Sequence, residues 1–303
     1  MPLLSFGSFR RFFLPRRART LAAWCAAAVL LGSGGCDLIN PDEQVPAYLR
    51  VAAFAYSPAG VPGSPPSANP QSALVYVDNI SLGIFELPAK IPVLREGQVK
   101  LRLVPLIVPD GQRGTRVAYP FYEAFEQTLV LQPGTALAVS PTTRFNSVNT
   151  EFVITEDFGG AASTAFELNA APMLYGFDTN ATVDGRPGVC KVTSLQSSTT
   201  DFYIESAFNG ALPGGGAPIY LELLYRSSIP VQIGVKYGIN YRGDLTVFPN
   251  DRWTKLYVTL TDEVSTVIGS GTTPTFKIFF RGQPTGSTGD YFALDDVRLV
   301  RSK

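Results

Sequence analysis

The chain of 303 residues contains no histidine at all. Histidine is the commonest general base, the usual partner of a nucleophilic serine and the commonest metal ligand. Its absence excludes histidine-dependent hydrolases, zinc peptidases and zinc deaminases. A glycoside-active enzyme remains as an alternative, because two carboxylates suffice for that reaction. No acidic pair with that arrangement stands out in the sequence, so we expect a non-catalytic protein.

The first 35 residues lack acidic side chains, although they contain five arginines. Their apolar run, residues 21–31, is shorter than the roughly 20 residues that a membrane-spanning helix needs. The run ends in Gly32-Ser33-Gly34-Gly35-Cys36, so the segment has the three regions of a signal peptide. It resembles the bacterial lipobox, which implies cleavage before Cys36 and lipidation of that cysteine, for example with palmitate. The alternative is an ordinary secretory signal with an incidental cysteine.

Residues 36–46 form a short acidic stretch that contains two prolines, which favours a tether. Its acidic start resembles the export signals of Bacteroidetes-type surface lipoproteins. The resemblance implies a lipid-anchored protein of the cell envelope, in the outer membrane, facing the periplasm or the outside. Without residues 1–35 the chain has 20 basic and 25 acidic residues, a net charge of −5. Such a chain has no basic surface for nucleic acid.

Cysteine is scarce, with three in the whole chain. Cys25 belongs to the predicted signal peptide and Cys36 is expected to carry lipid, which leaves Cys190 alone. An intramolecular disulfide and a C-x-x-C metal or redox site are therefore excluded. We expect Cys190 to be a small buried residue.

Short runs of β-branched and aromatic residues dominate from residue 47 onward, separated by turn-forming residues. No stretch sustains a helical period over the ~10 residues of an average helix. We therefore predict an all-β fold with no helix after the signal peptide, apart from at most a turn at 122–125. The flexible junction at 158–164 predicts a boundary between two β-sandwich domains, at 47–160 and 165–303.

Residues 73–105 resemble the small β-domains called PEGA-like, in which a strand ends in a Val-Asp-Gly-type turn. Here Val77-Asp78-Asn79 supplies the turn, and asparagine tolerates the positive φ that glycine usually adopts there. The resemblance implies an immunoglobulin-like or PEGA-like sandwich for the N-terminal domain and no chemistry.

Two strands of the C-terminal half resemble galactose-binding-like jelly rolls, the fold of many carbohydrate-binding modules. They are Tyr291–Leu299, with the acidic pair Asp295-Asp296, and Trp253–Val258. The resemblance implies a jelly roll that binds glycan, and it admits a structural calcium held by Glu167, Asp295 and Asp296. Because neighbouring residues on a strand point to opposite faces, at most one of the two aspartates faces inward. No other cofactor is expected.

A carbohydrate-binding module stacks aromatic rings on sugar rings and contacts hydroxyls with carboxylates and amides. The aromatic candidates, expected to be exposed, are Tyr225, Tyr237, Tyr241 and Trp253, and the polar candidates near them in sequence are Asn240 and Asp244. Residues 237–244 are favoured because they lie beside a predicted loop. In the alternative interpretation Trp253 packs in the sandwich core and the tyrosines pair across strands.

A second aromatic group, Tyr119, Phe121, Tyr122 and Phe125, lies in the N-terminal half. It is either an exposed protein-binding patch or packing at a domain interface. The first interpretation supports a different function, a structural or assembly lipoprotein that holds a partner protein in the outer envelope. Its contact surface would be this group together with the proline-rich loop at 57–71.

Overall fold

The computed structural model describes residues 43–303, apart from 67, 69, 161–164, 172, 270 and 272–273. Cys36 and the predicted signal peptide therefore lie outside the described residues. Nearly all regular structure is β-strand, which confirms the predicted all-β class. Among the described residues no helix is long and apolar enough to cross a membrane.

The N-terminal half is a sandwich of two sheets, as predicted. Its strands are β1 (Ala47–Val51), β3 (Ser72–Val77), β4 (Ile80–Glu86), β5 (Ala89–Val93), β6 (Gly97–Ile107), β7 (Val117–Ala118), β8 (Phe125–Leu131) and β9 (Ala136–Val139). Sheet A has the order β5-β1-β9, and sheet B has the order β4-β3-β6-β7 with β8 also paired to β6. The short strands β2 (Ala55–Tyr56) and β10 (Thr142–Thr143) pair with each other.

Alternating apolar residues build the core between sheets A and B. The buried members include Leu49 and Ile91 from sheet A, with Val75, Leu101 and Leu129 from sheet B. Their period of two matches the pleat of a strand, which sends every second side chain to one face.

The turn between β3 and β4 has the conformation that the sequence predicts. Asp78 and Asn79 both have positive φ, 50° and 65°. Two such residues in a two-residue loop match the right-handed twist of the flanking strands. The Asp78 carboxylate also accepts a hydrogen bond from the backbone N–H of Lys100 at 2.8 Å, which fixes the turn against β6.

The C-terminal half is a second sandwich, with ten strands in the described part of the chain from residue 166 onward. They are β12 (Phe166–Asn169), β13 (Tyr175–Val183), β14 (Arg186–Ser194), β15 (Phe202–Ser206), β16 (Ile219–Ser227), β17 (Val231–Tyr237), β18 (Asn240–Val247), β19 (Asn250–Thr259), β20 (Lys277–Gly282) and β21 (Tyr291–Ser302). Sheet C has the order β13-β14-β21-β16-β19, and sheet D has the order β12-β15-β20-β17-β18. All pairings in both sheets are antiparallel.

Sheet C takes one strand from the sequence before the predicted domain boundary. Strand β11 (Thr150–Glu156) pairs with the C-terminal part of β21. Residues Ala47–Lys303 form one compact unit in which both sandwiches take part. The boundary itself stays a prediction, and residues 161–164 at its centre lie outside the described residues.

The prediction of no helix after the signal peptide is wrong, because α1 spans Thr261–Gly269. Its Val264 and Val267 are buried in the core between sheets C and D. The acidic residues Asp262 and Glu263 lie in the first turn, where a negative charge interacts favourably with the positive end of the helix dipole. The helix has nine residues, just under the ~10 of an average helix, so its pattern is too short to indicate a helix by periodicity.

Tyr119, Phe121 and Tyr122 of the aromatic group are buried between the two sandwiches, so the interface interpretation is correct for them and the exposed-patch interpretation is wrong. Phe125 is partly buried and packs against the core between sheets A and B instead. Tyr119 and Phe121 pack on the outer face of sheet C against Tyr220, at ring distances of 5.2 and 6.1 Å. Tyr257 contacts the same group, with its ring 5.4 Å from that of Tyr119. We call this group, with Tyr122, Phe145 and Val300, the junction cluster.

Candidate functional site

The outer face of sheet D carries a group of aromatic and charged side chains that we call the tyrosine face. It consists of Tyr203, Glu205, Lys236, Tyr241 and Phe279. The ring centroids of Tyr203 and Tyr241 lie 4.7 Å apart with a tilt of 40°. Both rings also contact Phe279, at 6.2 and 5.1 Å. Phe279 is buried, whereas 38% of Tyr241 is exposed, so the tyrosines form an accessible layer over an apolar base.

Strand alternation brings these side chains to one face. On β15, Phe202 and Ile204 enter the core, which leaves Tyr203 and Glu205 on the outside. On β20, Ile278 and Phe280 are the core residues, so Phe279 lies outside with its neighbours Lys277 and Arg281. The registers Glu205 with Phe279 and Lys236 with Tyr241 then place residues far apart in sequence side by side.

One glycine allows the edge strand that carries Tyr241 to approach. A Cβ atom at Gly234 would collide with the backbone oxygen of Arg242 and with Gly243. The pairing of β17 with β18 is irregular at this point, between Ile233 and Val235. Such irregularities increase local twist and redirect a side chain. We infer that Gly234 sets the position of β18 relative to the sheet.

The carboxylate of Glu205 organises the polar part of the tyrosine face. Lys236 Nζ lies 2.7 Å from both of its oxygens, and the Tyr241 hydroxyl donates to Oε1 at 2.6 Å. Burial alone would raise the pKa of Glu205, but the hydrogen bonds from Lys236 and Tyr241 outweigh it and lower the pKa below its usual value. The carboxylate is thus held ionised and fixes the Tyr241 ring.

Other polar side chains stand at the edge of the tyrosine face. Arg281 donates from Nε to Asp201 at 2.7 Å, and its guanidinium lies 5.9 Å from the Tyr203 ring. Lys277 Nζ lies 3.9 Å from Glu205. These groups offer hydrogen-bond donors and acceptors beside the two tyrosine rings.

Two of the predicted glycan-binding tyrosines are not on this face. Tyr225 is buried in the core between sheets C and D, so the expectation that it is exposed is wrong. It continues the inward series Ile219, Leu221 and Leu223 on β16, which strand alternation could have revealed. Tyr237 is half-buried and packs against Phe276 at a ring distance of 6.3 Å.

The remaining predicted residues lie in three places. Asn240 and Asp244 are exposed on β18, where Asp244 lies 3.9 Å from Arg242 Nη2. Trp253 is half-buried on the outer face of sheet C, where it packs on a small cluster with Tyr291 and Ala293. The interpretation of Trp253 as a residue of the sandwich core is therefore wrong. It lines a cleft between the two sandwiches.

The three residues proposed for calcium do not form one group. The described residues contain no cluster of three or more acidic, cysteine or histidine side chains that could hold a metal ion. Asp295 and Asp296 both accept hydrogen bonds from Arg186, while Glu167 lies on sheet D. Burial raises the pKa of Asp295 despite the bond from Arg186. Calcium stays a prediction from the resemblance.

Asp295 and Asp296 are neighbours on β21, but both side chains point away from the core because the strand is irregular at this point. Asp296 has a positive φ of 50°, and the pairing with β16 shifts between Glu222 and Leu224. Leu294 and Val297 both enter the core on either side of the pair. An extra residue in the strand explains how both aspartates reach Arg186 and neither faces the core.

Sequence reasoning missed Tyr203, Glu205, Lys236 and Phe279. The alternation in Phe202–Glu205 could have marked Tyr203 and Glu205 as outward-facing. It could not have shown that β15 and β17 flank β20, because that order depends on long-range pairing.

No family model matches the chain, and no curated protein matches it. Solved structures resemble about half of it. The K3 cleaved adhesin domain of Lys-gingipain from Porphyromonas gingivalis is 15% identical, with 50% of this chain and 98% of that chain covered and a TM-score of 0.38. A family 29 carbohydrate-binding module is 13% identical, with coverages of 50% and 88% and a TM-score of 0.34.

A family 11 carbohydrate-binding module from Clostridium thermocellum, in complex with a mixed-linked tetrasaccharide, is 14% identical. It covers 51% of this chain and 96% of its own length, with a TM-score of 0.33. Likeness at this level carries no argument about function. The candidate site therefore depends on its own geometry.

Proposed function

We propose that this chain is a lipid-anchored protein of a bacterial cell envelope whose C-terminal sandwich binds glycan on the tyrosine face. The observation that carries the glycan proposal is the accessible pair of half-buried Tyr203 and exposed Tyr241, fixed from below by Phe279 and Glu205. The residue range 237–244, favoured from the sequence, contributes Tyr241 to this pair.

The chemistry of the tyrosine face suits a saccharide. A sugar ring has an apolar C–H face that packs on an aromatic ring, and its hydroxyls both donate and accept hydrogen bonds. Because Tyr241 is already held by Glu205, binding would order few additional side chains, which favours affinity. Lys277, Arg281 and Asp201 supply polar contacts beside the rings.

The test is a titration of the purified full chain with a panel of plant and envelope polysaccharides, followed by calorimetry and affinity electrophoresis. We expect saturable binding that weakens about ten-fold or more in Tyr241→Ala and in Tyr203→Ala. Aromatic anchors of a binding surface commonly contribute more than ~1 kcal/mol, and about 1.4 kcal/mol is ten-fold.

Tyr76→Ala is the matched control, because Tyr76 is a half-buried tyrosine on sheet B with Arg102 5.9 Å above its ring. It should bind as the unchanged chain does. Absence of binding across the panel by the folded chain would contradict the proposal. The assembly role, in which the chain holds a partner protein, would then become the leading hypothesis.

We propose a non-catalytic role, since three of the buried carboxylates are engaged by cations. Glu205 contacts Lys236, Glu222 lies 3.0 Å from Lys255, and Asp295 binds Arg186. A carboxylate neutralised in this way is a poor general acid or nucleophile. Release of reducing ends from a polysaccharide that the chain binds would refute the non-catalytic role.

The anchor proposal depends on the sequence before Cys36, which resembles a lipobox. Cells that express the chain are grown with an alkyne fatty acid, and the label on the protein is measured. We expect Cys36→Ser to abolish labelling. Cys25→Ser is the control, because Cys25 belongs to the segment predicted to be removed, and it should stay labelled. Equal labelling of both variants would contradict lipidation at Cys36.

A further inference from the structure

A cleft of about 1040 Å³ opens between the two sandwiches. Ligand pockets commonly have volumes of about 300–1,000 Å³, so this cleft is large enough for a small molecule. Its floor is the outer face of sheet C, and one wall is the proline-rich loop with Pro65, Pro66 and Pro70. The end of β6 and the β4–β5 turn complete the lining.

Aromatic and apolar groups cover part of the lining. Trp253 and Tyr257 lie on the floor, and Leu224 lies near them on β16. The guanidinium of Arg186 lies 5.8 Å from the Trp253 ring and thereby restricts it. A ring held in this way presents a fixed apolar contact to a ligand.

The charges in the cleft balance. Its lining contains three carboxylates, Glu86, Glu222 and Asp296, and each contacts a lining cation. Their partners are Arg116, Lys255 at 3.0 Å and Arg298 at 3.3 Å. A ligand with a net charge would be left without a counter-charge in a partly desolvated site, which is unfavourable. The lining therefore favours a neutral polar ligand.

Two buried donors in the lining have no partner among the described residues. They are the indole N–H of Trp253 and the Nε–H of Arg298. The Arg298 side chain is only 6% exposed. Buried polar groups are nearly always hydrogen-bonded, so an acceptor that reaches these two donors from the cleft would satisfy both. The Asp296 carboxylate beside them is 27% exposed and still has lone pairs that can accept from hydroxyls.

We propose that this cleft is a second binding site, for a neutral oligosaccharide or the end of a neutral polysaccharide chain. Such a ligand supplies acceptor oxygens to Trp253 and Arg298, donates a hydroxyl to Asp296, and packs its apolar faces on the aromatic and proline side chains. The site is separate from the tyrosine face. Sheets C and D pack on each other through the core, so their outer faces lie on opposite sides of the sandwich.

The probe is the fluorescence of Trp253 in a Trp24→Phe background, in which it is the only tryptophan of the chain. The purified full chain is titrated with cellohexaose, xylohexaose, mannohexaose and laminarihexaose, with tri-galacturonate as the charged comparison. We expect a saturable emission change with at least one neutral hexasaccharide and none with tri-galacturonate. Calorimetry then measures the same affinity without relying on tryptophan.

Conservative variants test the two donors. Arg298→Lys keeps the charge and removes Nε, and Trp253→Phe keeps an aromatic ring and removes the N–H. Each should weaken cleft binding about ten-fold by calorimetry, as expected for one hydrogen bond lost to a buried site. Thermal unfolding of each variant checks that it is folded. Tyr241→Ala should leave the emission change and its affinity within about two-fold.

The outcomes separate this site from the proposed function. Unchanged Trp253 emission, together with calorimetric binding that Tyr241→Ala removes, would overturn the cleft site alone. An emission change that Tyr241→Ala abolishes, or tighter binding of tri-galacturonate, would also overturn it. An emission change without any effect of Tyr241→Ala would support the cleft and count against the tyrosine face.

Discussion

The two outer faces of the C-terminal sandwich contain the same arrangement of side chains. On sheet D, the Tyr241 hydroxyl donates to Glu205 at 2.6 Å, and Lys236 neutralises that carboxylate. On sheet C, the Tyr119 hydroxyl donates to Glu222 at 2.6 Å, and Lys255 neutralises that carboxylate. The difference is the origin of the tyrosine. Tyr241 comes from the same sheet, and Tyr119 comes from the N-terminal sandwich.

This difference decides what each arrangement does. Tyr119 is buried in the junction cluster, so its hydrogen bond joins the two sandwiches. Tyr241 keeps an exposed ring, so its hydrogen bond fixes a surface that a ligand can reach. A tyrosine, a carboxylate and a lysine thus join the two sandwiches where another part of the chain covers them, and leave an accessible surface where nothing described covers them.

The largest effect is expected at the centre of the junction cluster. Phe121 is fully buried, so Phe121→Ala should lower the free energy of unfolding by about 3–5 kcal/mol through lost burial and a new cavity. Denaturant titration measures it. Phe248→Ala is the control, because Phe248 is 70% exposed and should change stability by less than about 0.5 kcal/mol. A similar small change in both variants would mean that the junction contributes little to stability.

Removing one hydroxyl from each arrangement sharpens the comparison. Tyr119→Phe should cost about 1.5–3 kcal/mol of unfolding free energy, because it removes a buried hydrogen bond to a charged group. Tyr241→Phe should cost less than about 1 kcal/mol, since water can replace the lost donor at a partly exposed site. Both are measured by chemical denaturation under identical conditions. Equal costs would show that the covering sandwich does not desolvate Glu222 more than Glu205.

The smallest effect concerns pH at the tyrosine face. The pKa of Glu205 is lowered in the folded protein, so the folded state binds fewer protons there than the unfolded state near that pKa. Its contribution to stability is therefore present above its usual value of about 4.5 and is lost as the pH falls through the folded value. The stability difference between the unchanged chain and Glu205→Gln should shrink from about pH 6 to about pH 3. A difference that grows towards acid would contradict the lowered pKa.

Local sequence patterns predicted the strands, the two sandwiches and the turn at Asp78-Asn79. These features follow from period-two alternation and from turn residues, which act within a few positions. The same logic applied strictly would also have placed Tyr225 in the core. At Asp295-Asp296 it predicted that at most one aspartate faces inward, and neither does, because an extra residue in β21 interrupts the alternation.

The candidate site was only partly predictable. Tyr241 was among the predicted residues, but its partners Tyr203, Glu205 and Phe279 belong to strands some 36 to 38 positions away in sequence. Their meeting depends on the order of β15, β20, β17 and β18 in sheet D. Pairing over such separations has no local signature, because any of several strands could satisfy the same hydrogen bonds.

The sequence by itself determined the absence of histidine chemistry, the all-β class and the inward or outward direction of most strand residues, because composition and alternation are local properties. Only the tertiary structure decided which aromatic side chains are covered. The Tyr119 and Tyr203 segments look alike in sequence, since each places tyrosine next to or near phenylalanine in or beside a strand. One is buried because the other sandwich packs on it, and exposure is a property of the neighbours that the folded chain brings together.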